Sequence, residues 1–122
     1  MKHLLLTTIA AVVLVGCGVS KETTIWKATE EGDASIVELL ISLGQDVNAK
    51  NDSGDTPLLR AAVFGRGEVA NLLMSKGAQV NTQNKFGYTP LDMAIKLNKT
   101  KIADLLRKHG GKTREELKAE GK

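Results

Sequence analysis

The hydrophobic positions beyond residue 24 recur in a fixed order. Apolar residues stand at Ile36, Val37, Leu39 and Leu40, again at Val69, Ala70, Leu72 and Leu73, and again at Ile102, Ala103, Leu105 and Leu106. Each group lies 33 positions after the one before, and its i, i+1, i+3, i+4 spacing predicts one buried helical stripe. A short segment precedes each group. Asp55-Thr56-Pro57-Leu58 returns as Tyr88-Thr89-Pro90-Leu91, and the same shift backwards reaches Glu22-Thr23-Thr24-Ile25. Threonine caps helix N-termini and proline suits the first helical position, so helices are expected over about Pro57 to Phe64 and Pro90 to Leu97. Gly65 and Asn98 are placed to end them in the left-handed conformation, and Gly44, Gly77 and Gly110 to end the second helices. Asn51-Asp52-Ser53-Gly54 and Asn84-Lys85-Phe86-Gly87 have turn chemistry and predict projecting hairpins.

This period of 33, with its Thr-Pro-Leu opening and its glycine columns, resembles the ankyrin repeat. The resemblance implies an all-α solenoid of about three 33-residue helix-turn-helix units with hairpin-like turns. The repeat region is set at 24–113, with units at about 22–54, 55–87 and 88–113. Two departures stand out. The family's usual histidine after Thr-Pro-Leu is Leu59 in one unit and Asp92 in the next, and the first unit has no proline and carries Trp26 in the histidine column. Terminal units of a stack are expected to be atypical, because they cap it. The remaining 114–122 is the tail, which with the last unit forms the basic end of the chain, and Thr113-Arg114-Glu115-Glu116 has the form of a capping box, which allows either a short helix to about Glu120 or a frayed end.

The first residues read as an address rather than as fold. Lys2 precedes an apolar run of 12, Leu4 to Val15, too short for the roughly 20 residues of a membrane-spanning helix. The run closes on Leu14-Val15-Gly16-Cys17, which resembles the bacterial lipobox. That resemblance implies a signal peptide, 1–16, cleaved after Gly16, a diacylglycerol on the Cys17 thiol, and acylation of the new amino terminus by a fatty acid such as palmitate. It places the protein in the bacterial cell envelope, facing the periplasm. Gly18 stands where aspartate marks inner-membrane retention in enterobacterial lipoproteins, which favours the outer membrane. Residues 17–23 are then anchor and linker, and Gly18 to Thr23 reach only about 20 Å when fully extended, which keeps the folded part near the lipid.

Composition narrows the chemistry further. The only cysteine is Cys17 and the only histidines are His3 and His109, so an intramolecular disulfide, a cysteine-based zinc site and a Cys/His catalytic pair are excluded. Glu30, Glu31 and Asp33 cluster, but at a helix end, where a solvated turn accounts for them. Gly110-Gly111-Lys112-Thr113 imitates the end of a phosphate-binding loop, yet its first glycine would fall on Leu106 and an amphipathic helix precedes it. Gly65-Arg66-Gly67 begins a dinucleotide fingerprint that Ala70 breaks. His109, in a last helical turn, is accounted for by the helix dipole. No catalytic residue, metal ligand or cofactor is expected, nor a small-molecule substrate.

The net charge of +3 is unevenly placed: residues 17–84 carry 6 basic and 9 acidic side chains, and residues 85–122 carry 10 basic and 5 acidic. A basic end attracts an acidic protein or anionic headgroups, or is simply a solvated face; nucleic acid is not expected as the partner of an exported protein. Ankyrin-like stacks bind through hairpin tips and first-helix ends. Carried over column by column, that surface comprises Asp52, Ser53 and Asp55, then Lys85, Phe86 and Tyr88, with Val63, Phe64, Lys96 and Leu97 from the helices. Three of the chain's four aromatic residues fall there, and aromatics are frequent binding hot spots. Packing between neighbouring units is the alternative role for Phe64 and Phe86. The expected function is binding of a protein partner from a membrane anchor. The alternative is an inhibitor or immunity-like accessory of an envelope enzyme.

Overall fold

Seven helices carry residues 24–121, the part of the chain that the computed structural model describes. The signal sequence, Cys17 and the linker lie outside the described residues. The helices pair as α1 (Ile25–Glu31) with α2 (Ala34–Ser42), α3 (Pro57–Phe64) with α4 (Gly67–Ser75), and α5 (Pro90–Lys96) with α6 (Thr100–Lys108), followed by α7 (Arg114–Glu120). Among the described residues there are no strands.

Each first helix starts on a threonine. The Thr56 hydroxyl accepts the Leu59 N–H at 3.3 Å, with Pro57 behind it. Thr89 accepts the Asp92 N–H at 3.1 Å while the Asp92 carboxylate accepts the Thr89 N–H at 2.9 Å, a reciprocal cap. In the first unit the cap is Thr24, one residue later than the repeat shift places it; without proline in that column, Thr24 stays extended at φ −112°. α5 also ends one residue earlier than expected, at Lys96, with Leu97 as its C-cap. Asn98 takes the left-handed conformation at φ 58°, as Gly65 does at φ 70°.

The second helices bury a narrower stripe than their spacing predicts. Val37 and Leu40, Val69, Ala70 and Leu73, and Ile102 and Leu106 are buried, whereas Leu39, Leu72 and Leu105 are only half-buried. Leu40, Leu73 and Leu106 occupy one column and are 0% exposed; each contributes about 1.5–3 kcal/mol of burial free energy. α3 packs between α1 and α5, and α4 between α2 and α6, so the cluster from Ile25 to Leu106 grows by addition of neighbours along one axis.

Asparagine side chains fasten these units together. The Asn48 carbonyl oxygen accepts the Gln79 N–H at 2.7 Å, and the Asn81 oxygen accepts the Lys112 N–H at 2.7 Å, while its amide donates to the Gly110 carbonyl at 3.1 Å. Each such residue reaches into the turn that follows the next unit's second helix. The hairpins are built by a second set. Asn51 donates its N–H to the Asp55 carbonyl at 3.1 Å, and its side chain accepts from Ser53 and Asp55 at 2.9 and 3.0 Å. Asn84 repeats this with Phe86 and Tyr88, both at 3.0 Å. The Lys85 N–H donates to the Ser53 carbonyl at 3.0 Å and joins one hairpin to the next. Gly54, at φ 77°, makes that approach possible, since a Cβ there would stand 3.0 Å from the Lys85 nitrogen.

The tail is helical. Thr113 and Glu116 cap α7 reciprocally, and Arg107 holds Glu116 at 2.7 Å. The Thr89 hydroxyl donates to the Lys112 carbonyl at 2.7 Å and the Arg114 N–H donates to Asp92 at 3.0 Å, which seats α7 beside the second hairpin. The helical end of the stack stays open. Ile95 is 50% exposed, although the equivalent Thr29 and Ala62 are each 0% exposed beneath a following unit.

Candidate partner-binding surface

The residues assigned to the hairpin tips and first-helix ends separate into three groups. Asp52, Ser53, Lys85 and Lys96 are exposed. Phe86 is 69% exposed, the most of any large hydrophobic residue among those described, and Phe64 is 40% exposed. Leu97 is exposed too, while Val63 and Tyr88 are half-buried.

Asp55 is a correction. It is 6% exposed and its carboxylate works inside the stack, accepting from Asn84 at 3.0 Å and pairing with Arg60 at 3.3 Å. Its carbonyl receives the Trp26 indole N–H at 3.0 Å. A residue so enclosed positions its neighbours and is withdrawn from the tip surface, unlike Tyr88, its counterpart one unit later.

Two cation–aromatic clusters form on this side. In the second unit the Arg60 guanidinium lies 5.0 Å from the Phe64 ring centroid and is pinned by Glu30 at 2.8 Å and by Asp55. In the third unit Lys96 lies 4.9 Å and Arg114 4.6 Å from the centroid of Tyr88. Arg114 also donates to the Phe86 carbonyl at 3.3 Å. The structure thus brings Lys96, Tyr88 and Phe86 together and leaves Phe64 in the neighbouring cluster. Sequence reasoning missed Arg60 and Arg114. Arg60 had a local signal, one helical turn before Phe64; Arg114 had none, because only the docking of α7 brings it to Tyr88.

The decoys resolve in terms of backbone hydrogen bonds. The Gly110 N–H is taken by the Arg107 carbonyl, Gly111 by Leu106, Lys112 by Asn81 and Thr113 by Glu116, so the Gly-Gly-Lys-Thr amides are not free to cradle a phosphate. His109 stands at the end of α6 with Nδ1 2.9 Å from the Leu105 carbonyl. Asp33 caps α2 through the Ile36 N–H at 3.1 Å, and Glu30 holds Arg60 while its carbonyl accepts from Arg66 at 2.8 Å, so two of the three clustered acids are structural. Among the described residues no group of three His, Cys, Asp or Glu side chains is arranged to hold a metal. An open cleft of about 560 Å³ lies between the second hairpin and α7, lined by Gln83, Gly87, Arg114, Glu115, Leu117 and Lys118.

Stacked helix pairs joined by projecting hairpins define a tandem-repeat scaffold, a class whose members touch other molecules along a row of equivalent positions. The chain matches the family model described as ankyrin repeats (3 copies) over residues 5–84 and 25–116 and belongs to that family. No curated protein matches it. Ankyrin repeats generally mediate protein–protein interaction and are typically non-catalytic modules.

Proposed function

We propose that this protein is a membrane-anchored docking module. It holds a protein partner against the row of hairpin tips and first-helix ends, and a lipid on Cys17 fixes it to the bacterial envelope, with the stack on the periplasmic side. The observation that carries the docking face is Phe86. It projects 69% exposed from a hairpin whose backbone is pinned by Asn84 and by the neighbouring hairpin, so a rigid frame presents a large apolar side chain to solvent. A preformed surface of this kind binds with little ordering cost. The anchor rests on the lipobox resemblance and on Cys17 as the only thiol in the chain.

The test has two arms. Replacement of Phe64 and Phe86 by alanine is expected to abolish capture of the partner from membrane extract while the helical circular dichroism is unchanged. Capture that persists refutes the face. Cys17→Ala is expected to move the protein from the membrane to the soluble fraction; retention in the membrane refutes the anchor.

A further inference from the structure

The guanidinium of Arg60 is neutralised where it lies over Phe64, but the cations around Tyr88 are not. Arg60 has Glu30 and Asp55, but the column of Asp55 is Tyr88 in the third unit, and the cations around it lack a carboxylate partner. Among the described residues, Lys85, Lys96 and the Arg114 guanidinium form no ion pair. Asp92 is close, but its Oδ2 already accepts the backbone N–H groups of Thr89 and Arg114. Glu115 shares the cleft beside α7 with Arg114 without pairing to it. Lys96 donates to the Tyr88 hydroxyl at 3.5 Å and lies over the same ring.

We infer that the cluster of Lys96, Tyr88, Arg114 and Phe86 binds an extended acidic segment of the partner protein, with carboxylates on alternate residues beside an apolar one. The inference rests on the hairpin row being the docking face. The spacing allows it. Both cations lie within 4.9 Å of one ring centroid, so they are no more than about 9.5 Å apart, and alternate side chains on one face of an extended chain are separated by about 7 Å. Two carboxylates at such positions each meet one cation. The neighbouring residue then covers Phe86, whose carbonyl is already fastened to Arg114. Lys96 and Arg114 are exposed; a segment that covers them over Tyr88 removes water from both and strengthens each attraction. An anionic membrane is the less suitable occupant, since the first unit, residues 24–54, carries 2 basic and 6 acidic side chains and is repelled by the same surface.

The test uses the full chain and defined probes: a fluorescent 12-residue peptide alternating Glu and Ser with one terminal Leu, its Gln-for-Glu counterpart, and phosphatidylglycerol–phosphatidylcholine vesicles. The Glu peptide is expected to bind at least about tenfold more tightly than the Gln peptide. That preference is expected to vanish in Lys96→Gln/Arg114→Gln and to persist in Lys101→Gln/Lys108→Gln, which changes net charge equally on α6. Loss of the preference in both variants would reduce the effect to net charge and overturn the inference. So would vesicles that compete with the peptide and depend on Lys96 and Arg114. If both peptides bind alike and Phe64→Ala/Phe86→Ala weakens both, the docking face stands and its acidic chemistry falls. If the Glu preference survives while that double substitution changes nothing, the chemistry stands and the apolar docking face falls.

Discussion

Asp55→Ala separates a residue that builds the stack from one that meets a partner. Its side chain is 8% exposed and supplies two acceptors: one oxygen 3.0 Å from the Asn84 amide, the other 3.3 Å from Arg60. Alanine leaves the Asn84 donor unpaired in a half-buried place, a loss of about 1 kcal/mol or more, and removes a charge-assisted bond worth about 1.5–3 kcal/mol. Arg60 keeps Glu30 at 2.8 Å, which limits the second loss. The expected sum is about 2 kcal/mol. A domain of this size shifts by about 4–8 °C per kcal/mol, so the melting temperature should fall by roughly 8–16 °C. Urea and thermal unfolding of the full chain, followed by circular dichroism, measure it. In a cycle with Asn84→Ala the two losses should fall short of additivity by at least about 0.5 kcal/mol. An Asp55→Ala stability within about 0.5 kcal/mol of the parent, together with weakened partner capture, would refute the structural role and return Asp55 to the surface that the repeat columns assign to it.

Two further perturbations probe other levels of the fold. Leu73→Ala, at a 0% exposed position in the middle unit, should cost about 2–5 kcal/mol, and urea unfolding at 25 °C should show a midpoint lowered accordingly; a cost under about 1 kcal/mol would mean that the neighbouring units close over the gap. Glu116 has its pKa held below the ordinary value of 4.5, first by the Thr113 backbone N–H and then by Arg107. A depressed carboxylate stabilises the fold above its unfolded pKa and loses that effect as pH falls through the folded one. Amide exchange in α7 should therefore be flat from neutral pH down to about 4.5 and, once corrected for intrinsic rates, accelerate below it; Glu116→Gln should abolish the pH step.

The elements that sequence revealed are those governed by rules acting within one turn of chain. Thr56 and Thr89 cap helices because their hydroxyls need reach only three residues, and Gly44, Gly77 and Gly110 end helices because the left-handed conformation is local. The Thr-x-x-Glu signal of the tail, compatible with helix or fraying, became a helix because Arg107 and Asp92 receive it. What sequence left unread depends on partners about 30 residues away. The Val-Asn column was visible, but the reason for Asn48 and Asn81 appears only when the next unit arrives. Asp55 occupies a column that points outward in the family pattern and is buried here because Trp26, Arg60 and Asn84 converge on it. The surface clusters were half legible: Phe86 and Tyr88 from their columns, Arg114 only through α7.

The ion pairs are not spread evenly over the joints. Glu30–Arg60 and Glu38–Lys76 cross from the first unit to the second, and Arg107–Glu116 and Lys112–Glu120 fasten the tail. Among the described residues no ion pair crosses from the second helix pair to the third, where α3 and α4 meet α5 and α6. Exposed ion pairs weaken with salt and apolar contact weakens with cold. Added salt is therefore expected to act on the first joint and on the tail more than on the middle joint, which apolar packing and the Asn84–Asp55 and Lys85–Ser53 hydrogen bonds hold.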